Sequence, residues 1–271
     1  KHSSPPRRSS DLDSCFLKDF EAIFYRGLTT GFNDAFVIDE DTKDLLISED
    51  PNCLKIIKPV IRGKNINKFS ITQNNEYLIN THNGLKEKRI ERIKVESYPS
   101  ILKHLQKYDL ILQKRLDKGD THYNLRNCAY ILEFEKEKIV FTKASKRENF
   151  AFDDKGYYLL NTSYFLRANK LKYLLVFFNS RLFSYCFNKF YQSGGIEGEI
   201  TLQTLETIPL KKIESTIVFE ILADYLILLN DPTTPSIMEH ASNEMISQQL
   251  EEVLNMMVYE LYFEEHMKEK R

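Results

Sequence analysis

The chain is poor in cysteine, and its four cysteines (Cys15, Cys53, Cys128 and Cys186) stand far apart, with no C-x-x-C pair and no histidine at ligand spacing. That excludes a disulfide-stapled scaffold and a zinc ribbon, and it reads as reduced thiols in a cytoplasmic protein with no metal site. Long apolar runs are also missing. The most apolar stretch, Leu171 to Phe187, is interrupted by Lys172, Asn179 and Arg181, so it predicts a buried helix and no membrane span. KHSSPPRRSS at the start has no apolar segment and is not a secretory signal. Neither G-x-G-x-x-G nor G-x-S-x-G occurs, and the glycines at Gly194, Gly195 and Gly198 are not followed by the Lys-Ser/Thr of a P-loop. The single Pro-Pro, Pro5-Pro6, lies between Ser4 and Arg7, so the Asn/Asp-Pro-Pro-aromatic motif of adenine methylation is missing. Asp153-Asp154-Lys155 matches the D-x-K half of a metal nuclease, but the following Gly156 makes a hairpin turn the better reading. No catalytic residue is expected in this chain.

What is present is an uneven spread of charge. The net charge of −1 over 271 residues conceals a block from Lys55 to Arg147 with 21 Lys+Arg against 10 Asp+Glu. The residues before it carry 6 basic against 11 acidic side chains, and 214–271 carry 3 against 12. A basic middle between acidic flanks is expected where one face meets a polyanion.

Three regions follow along the chain. Residues 1–14 read as a disordered lead-in or linker, rich in Ser, Pro and Arg. Residues 15–213 read as mixed α and β. Strands are expected at Ala35–Ile38, Glu76–Ile79, Ala129–Glu133 and Lys138–Thr142. A hairpin at Asp153–Gly156 should lead into Tyr157–Asn161. The spacing of Ile101, Leu102, Leu105, Tyr108, Leu112 and Leu116 predicts one helix from Tyr98 to Leu116, with Pro99 in its first turn. Another should run from Leu171 to Phe190, with a short helical piece from Thr201. Residues 214–271 contain no glycine and predict two amphipathic helices. The first is Ser215–Leu229. The second is N-capped by Ser236, with a stripe through Ile246, Leu250, Val253/Leu254, Met257 and Leu261. Such a helical hairpin needs a partner surface. No internal repeat is found.

Within the basic block, several groups invite functional readings. Gly27-Leu28-Thr29-Thr30-Gly31 is either a tight loop before a strand or a loop presenting amides and hydroxyls to phosphate. Arg62 and Lys64 flank Gly63 and should project from a turn, towards solvent or towards phosphate. Lys114 and Arg115 precede Tyr123, Asn124 and Arg126. Basic residues near a helix C-terminus explain the first two as well as an anion does, whereas Arg, Lys and Asn also suit base edges. Lys143, Lys146 and Arg147 fall between two strands and fit either a solvated face or an anion. Gln192 and Ser193 open a polar loop after the buried helix.

Taken in order, these strings resemble the TaqI-like target-recognition domain of type IIG restriction-modification enzymes and adenine-specific DNA methyltransferases. The resemblance is carried by Gly27–Ile38, Ile57-Lys58-Pro59 with Ile61-Arg62-Gly63-Lys64-Asn65-Ile66, Tyr98-Pro99 with His104-Leu105, and Lys138–Phe141 with Lys146-Arg147. Phe150–Tyr158, Phe178–Leu182 and Ile208-Pro209-Leu210 continue it, and Val258–Tyr262 resembles the ending of such enzymes. It covers Cys15 to Ile213, with a weaker match beyond. His82–Glu96, rich in Lys and Glu, departs from the pattern as an insertion-like charged flap.

The resemblance implies an α/β (mixed α+β) target-recognition domain over 15–213, followed by an α-helical hairpin. It implies a module that reads double-stranded DNA and positions the target adenine for N6 methylation, or cleavage, by domains of a longer enzyme. Arg62, Lys64, Lys114, Arg115, Lys143, Lys146 and Arg147 would contact phosphates. Tyr123, Asn124, Arg126, Gln192 and Ser193 would supply base readout. No cofactor is expected in this chain; S-adenosylmethionine, with or without magnesium, is implied for the parent. The C-terminal helices would pack on the methyltransferase domain or form a homodimer. Two other readings stand beside this one: a type I specificity-subunit-like protein, and a protein-interaction scaffold using the acidic helices. An RNA-binding module fits less well, because no strand carries a pattern of stacking aromatics, and a stand-alone nuclease fits least.

Overall fold

The computed structural model describes residues 14–142, 149–191 and 202–269. In chain order it begins with β1 (Ser14–Cys15), β2 (Ile23–Arg26), α1 (Asn33–Phe36), β3 (Val37–Asp39) and α2 (Glu40–Glu49). Then come β4 (Ile57–Ile61), β5 (Glu76–Ile79), α3 (Pro99–Gln106), α4 (Asp109–Lys114), β6 (Lys138–Thr142), β7 (Phe150–Asp153), β8 (Tyr158–Leu159) and β9 (Ser163–Arg167). The rest is α5 (Leu171–Phe178), α6 (Arg181–Cys186), α7 (Leu202–Thr207), β10 (Leu210–Lys211), α8 (Ile217–Asn230), α9 (Asn243–Tyr262) and α10 (Glu264–Lys268). The architecture is mixed α/β with C-terminal helices, as the sequence predicts.

Two four-stranded sheets stack. The central sheet, β2-β9-β6-β7, is antiparallel throughout; the outer sheet, β3-β5-β4-β8, ends in a parallel pair, β4 with β8. β6 is buried on both faces, which is why KIVFT reads as a nearly unbroken apolar run. Val140 faces the core shared with the outer sheet, whereas Ile139 and Phe141 face a second core under the helices. A two-strand clasp, Ser14↔Lys211 and Cys15↔Leu210, joins the beginning of the described chain to β10.

Five local expectations are corrected. Asn33–Phe36 forms one helical turn, so the expected strand at Ala35 begins only at Val37. Ile131–Glu135 is a 3-10 turn and not a strand. The Tyr98–Leu116 helix is broken between α3 and α4, and Leu116 is 97% exposed. The Leu171–Phe190 helix is broken at Asn179-Ser180. The Asn179 amide there accepts from the Phe150 N–H at 3.3 Å and donates to the Phe150 carbonyl at 2.8 Å, and Ser180 caps α6. Finally, Asp153–Gly156 turns the chain between sheets and does not make a hairpin, because β8 pairs with β4. The Asp153 carboxylate accepts from the N–H groups of Lys155, Gly156 and Tyr157 and pairs with Lys138 at 2.5 Å; both charged side chains are fully buried.

The inner faces of the C-terminal helices pack within the chain. α8 packs on α5, with Phe219 edge-on to Tyr173, and α9 packs on α8. Asp224 pairs with Lys172 at 2.6 Å, Glu251 with Lys68, and Glu252 with Arg181, while Asn255 Oδ1 accepts from the Arg181 N–H at 2.8 Å. α9 starts at Asn243 under a Ser242 cap. Ser236, expected as the cap, donates instead to the carbonyls of Met238 and Ala241. Leu254 and Val258 are the most deeply buried apolar residues of its stripe, and Val253 turns outward.

Candidate nucleic-acid interface

Cation-bearing turns occupy both ends of the outer sheet. β4 runs five residues from Ile57 to Ile61, so the two ends stand about 13 Å apart at roughly 3.3 Å per residue.

At one end β4 delivers the Arg62-Gly63-Lys64 turn. The Arg62 N–H donates to Asn65 Oδ1 at 3.0 Å, and its guanidinium pairs with Glu76 at 2.6 Å. That hydrogen bond holds the Arg62 pKa above its ordinary value and matches the charge internally. Lys64 is exposed, with no ion pair among the described residues. Gly63 sits so close to β6 that a Cβ would lie 2.8 Å from Thr142 Cγ2, and Asn149 Nδ2 donates to the Ile66 carbonyl at 3.3 Å. Thr142 and Asn149 are the flanks of the segment carrying Lys143, Lys146 and Arg147. Those three residues lie outside the described residues, but both flanks abut the Lys64 turn.

At the other end, beyond Ile79, sits the 115–127 loop. Arg115 is 6% exposed, against the phosphate contact expected of it. Its guanidinium donates to the carbonyls of Thr30, Asp117 (2.9 Å), His122 (3.0 Å) and Asn124, and lies over the Phe36 ring. Burial pushes its pKa down to about 10. Asn124, expected at a base edge, is buried too. Its Nδ2 donates to the carbonyls of Thr81 and Ile93, at 3.2 and 2.9 Å, and its Oδ1 accepts from Thr121 at 2.6 Å. Both residues are corrected to loop-stitching roles, because both terminal nitrogens of the Arg115 guanidinium and the whole Asn124 amide already bond within the chain. Arg126 is exposed and pairs with Asp117 at 3.2 Å; Lys114 is exposed without an ion pair among the described residues.

Tyr123 is half-buried. Its hydroxyl donates to Asp109 Oδ1 at 2.7 Å, and His122 Nε2 meets the same oxygen at 2.7 Å. Burial, helped by the Asp109 carboxylate, pushes the Tyr123 pKa up to about 12. Tyr123, followed by His122, holds Asp109 below the usual carboxylate range. Glu96, Gln113, Lys118, Asp120, Thr121, His122 and Tyr123 line an open concavity of about 510 Å³. Asp109 went unnoticed in the sequence, since its partners lie 13 and 14 residues away and no motif marks it.

The Gly27–Asn33 loop spans the two ends. Leu28 N–H bonds the Leu159 carbonyl at 2.7 Å, and a Cβ on Gly27 would lie 2.0 Å from the Leu160 carbonyl oxygen, so the backbones touch. Thr30 is buried and its hydroxyl donates to Asn33 at 2.6 Å, which favours the tight-loop reading. Gln192 and Ser193 lie outside the described residues. No helix among the described residues is long and apolar enough to cross a membrane.

The family model of the TaqI-like C-terminal specificity domain matches residues 58–210, more than half of the chain. Gly27–Ile38 and Val258–Tyr262, which contribute to the resemblance, fall outside that span. A type II methyltransferase of Methanocaldococcus jannaschii, M.MjaIV, is 27% identical over 198 residues, covering 69% of this chain and 63% of the relative. Among solved structures, the type IIL restriction-modification enzyme MmeI in complex with DNA aligns with a TM-score of 0.62 at 11% identity. The type IIG restriction endonuclease BpuSI aligns at 0.50 and 12%. These alignments cover 88% and 93% of this chain but 32% of each solved chain, so the likeness is one of fold and the chain spans a third of each structure.

Proposed function

The chain belongs to the TaqI-like C-terminal specificity domain family, and from that premise we propose that it reads a short sequence of double-stranded DNA for a restriction-modification enzyme. The observation that carries the reading is the overlap between the family match and the basic block, whose exposed cations Lys64 and Lys114 stand at the two ends of one sheet. Lys143, Lys146 and Arg147, which lie outside the described residues, remain candidates for phosphate contact, and such contacts set register on the duplex. Tyr123, Arg126, Gln192 and Ser193 remain the candidates for base readout. Arg115 and Asn124 hold the loop that carries the first two.

In this reading the module holds the duplex while a target adenine is flipped into a methyltransferase pocket elsewhere in a longer enzyme. S-adenosylmethionine would supply the methyl group there. That cofactor is assigned to the methyltransferase domain of the longer enzyme and not to the described residues of this chain. Among the described residues the one parallel strand pair, β4 with β8, has Gly27 and Leu28 packed against Leu159 and Leu160. The outward apolar face of α8, formed by Ile217, Val218, Ile221, Tyr225 and Leu228, each about half exposed, is assigned to the remainder of that enzyme. A second copy of the chain is the alternative occupant. The scaffold reading loses support because Asp224, Asp231, Glu251 and Glu252 are paired within the chain.

The test is selection of random-core duplexes by the whole chain at low salt. Enrichment of one short sequence is expected. Duplex binding without enrichment removes the specificity role, and absence of binding removes the DNA reading.

A further inference from the structure

We infer that the Leu85–Ile90 hairpin is a phosphate clamp whose Lys86, Lys88 and Arg89 grip the backbone of the duplex beside the 115–127 end of the interface. This rests on the DNA reading above, and the sequence alone left the segment as a charged flap.

The hairpin is built at its base and bare at its tip. Leu85 and Ile90 exchange both backbone hydrogen bonds, N–H to carbonyl, at 2.8 and 3.0 Å, closing a four-residue turn. Arg89 sits in the left-handed region at φ 54, which completes the reversal. Gly84 is required at the base: its φ is +77, and a Cβ would lie 2.7 Å from both the Ile90 carbonyl oxygen and the Arg92 nitrogen. Both arms of the turn are then tied to the 115–127 loop. Asn83 Oδ1 accepts from the Asp120 N–H at 2.8 Å, and its Nδ2 donates to Asp120 Oδ1 at 2.9 Å. On the returning strand, Ile93 N–H bonds the His82 carbonyl at 3.1 Å, and the Ile93 carbonyl accepts from Asn124 at 2.9 Å.

The tip shows the opposite economy. Lys86, Lys88 and Arg89 are all exposed, with no ion pair among the described residues, and Glu87 is the only acid between them. Like charges held this close repel, so the turn gains nothing for the fold by concentrating them. A polyanion reverses the sign of that interaction. The buried amide of Asn124 thereby links the two cation-bearing pieces: it holds the hairpin strand through Ile93 and the loop of Arg126 through its own backbone.

The experiment compares the whole chain with its Lys86→Ala/Lys88→Ala/Arg89→Ala variant, measuring affinity for a 30-base-pair duplex across salt. Each lost phosphate contact flattens the log–log salt slope by about 0.9, so the triple variant should flatten it by about 2–3 for every sequence tested. Between 50 and 200 mM salt the unaltered chain should then lose about 40-fold more affinity than the variant. Glu87→Lys should tighten binding at low salt, and neither variant should lower the melting temperature. Duplex binding with an unchanged slope overturns the clamp alone. A slope change confined to single-stranded RNA overturns it in favour of another ligand. No duplex binding by the unaltered chain overturns the DNA reading and the clamp together.

Discussion

Replacing Arg115 by methionine separates two roles that an arginine in this block could play. Its guanidinium donates to four backbone carbonyls, those of Thr30, Asp117, His122 and Asn124, and its side chain is nearly closed to solvent. Four bonds from a charged donor, at roughly 1.5 kcal/mol each, set against about 3 kcal/mol for desolvating the cation, leave a net of about 3 kcal/mol. Methionine keeps much of the volume over Phe36 but none of the donors. A loss of about 3 kcal/mol in a chain of this size lowers the melting temperature by roughly 6–12 °C. The assay pairs thermal unfolding with duplex binding across salt, at a temperature where the variant is folded. The expected result is a lower melting temperature with an unchanged salt slope. An unchanged melting temperature with a slope flattened by about one would mean that Arg115 meets a phosphate, and the argument from its burial would fall.

Lys138→Met strips the buried Asp153 of its counter-charge and should cost about 3–5 kcal/mol. Adding Asp153→Asn should recover part of that in urea titrations, because an amide oxygen still accepts from the turn; a double variant weaker than the single one would contradict this. Asp109, with its pKa held down by Tyr123 and then His122, adds stability above its unfolded pKa and loses it as pH falls through the folded value. Asp109→Asn should therefore lessen stability at neutral pH and flatten its decline below about pH 4. An acid limb identical to that of the unaltered chain would count against the pairing.

The sequence is most legible where local pattern and tertiary burial agree. β5 and β6 appear where alternation and β-rich composition place them, Pro99 opens α3, and α8 follows its apolar period. Two of the errors turn on a polar side chain whose partner is distant in sequence. Asn179 breaks the longest apolar run because Phe150, 29 residues earlier, needs its amide. Asp153 abolishes a hairpin by gathering three N–H groups and a buried lysine. In the candidate interface, Arg115 and Asn124 have the residue types that grip DNA, and the same donors serve carbonyls 85 and 43 residues away. Composition registers the cations; it cannot say which of them the fold has already used.

The clasp of β1 and β10 has a consequence for how such a chain diversifies. Paired strands lie about 5 Å apart, so the polypeptide enters and leaves the intervening region through one doorway. Phe20, a few residues inside it, bonds Asn169 beyond the Arg167 end of β9, whereas the Lys64 turn rests against Thr142 and Ser163 at the opposite end. The doorway and the Lys64 turn are thus segregated. Loops at the far rim can be resculpted, lengthened or exchanged while the doorway keeps its shape.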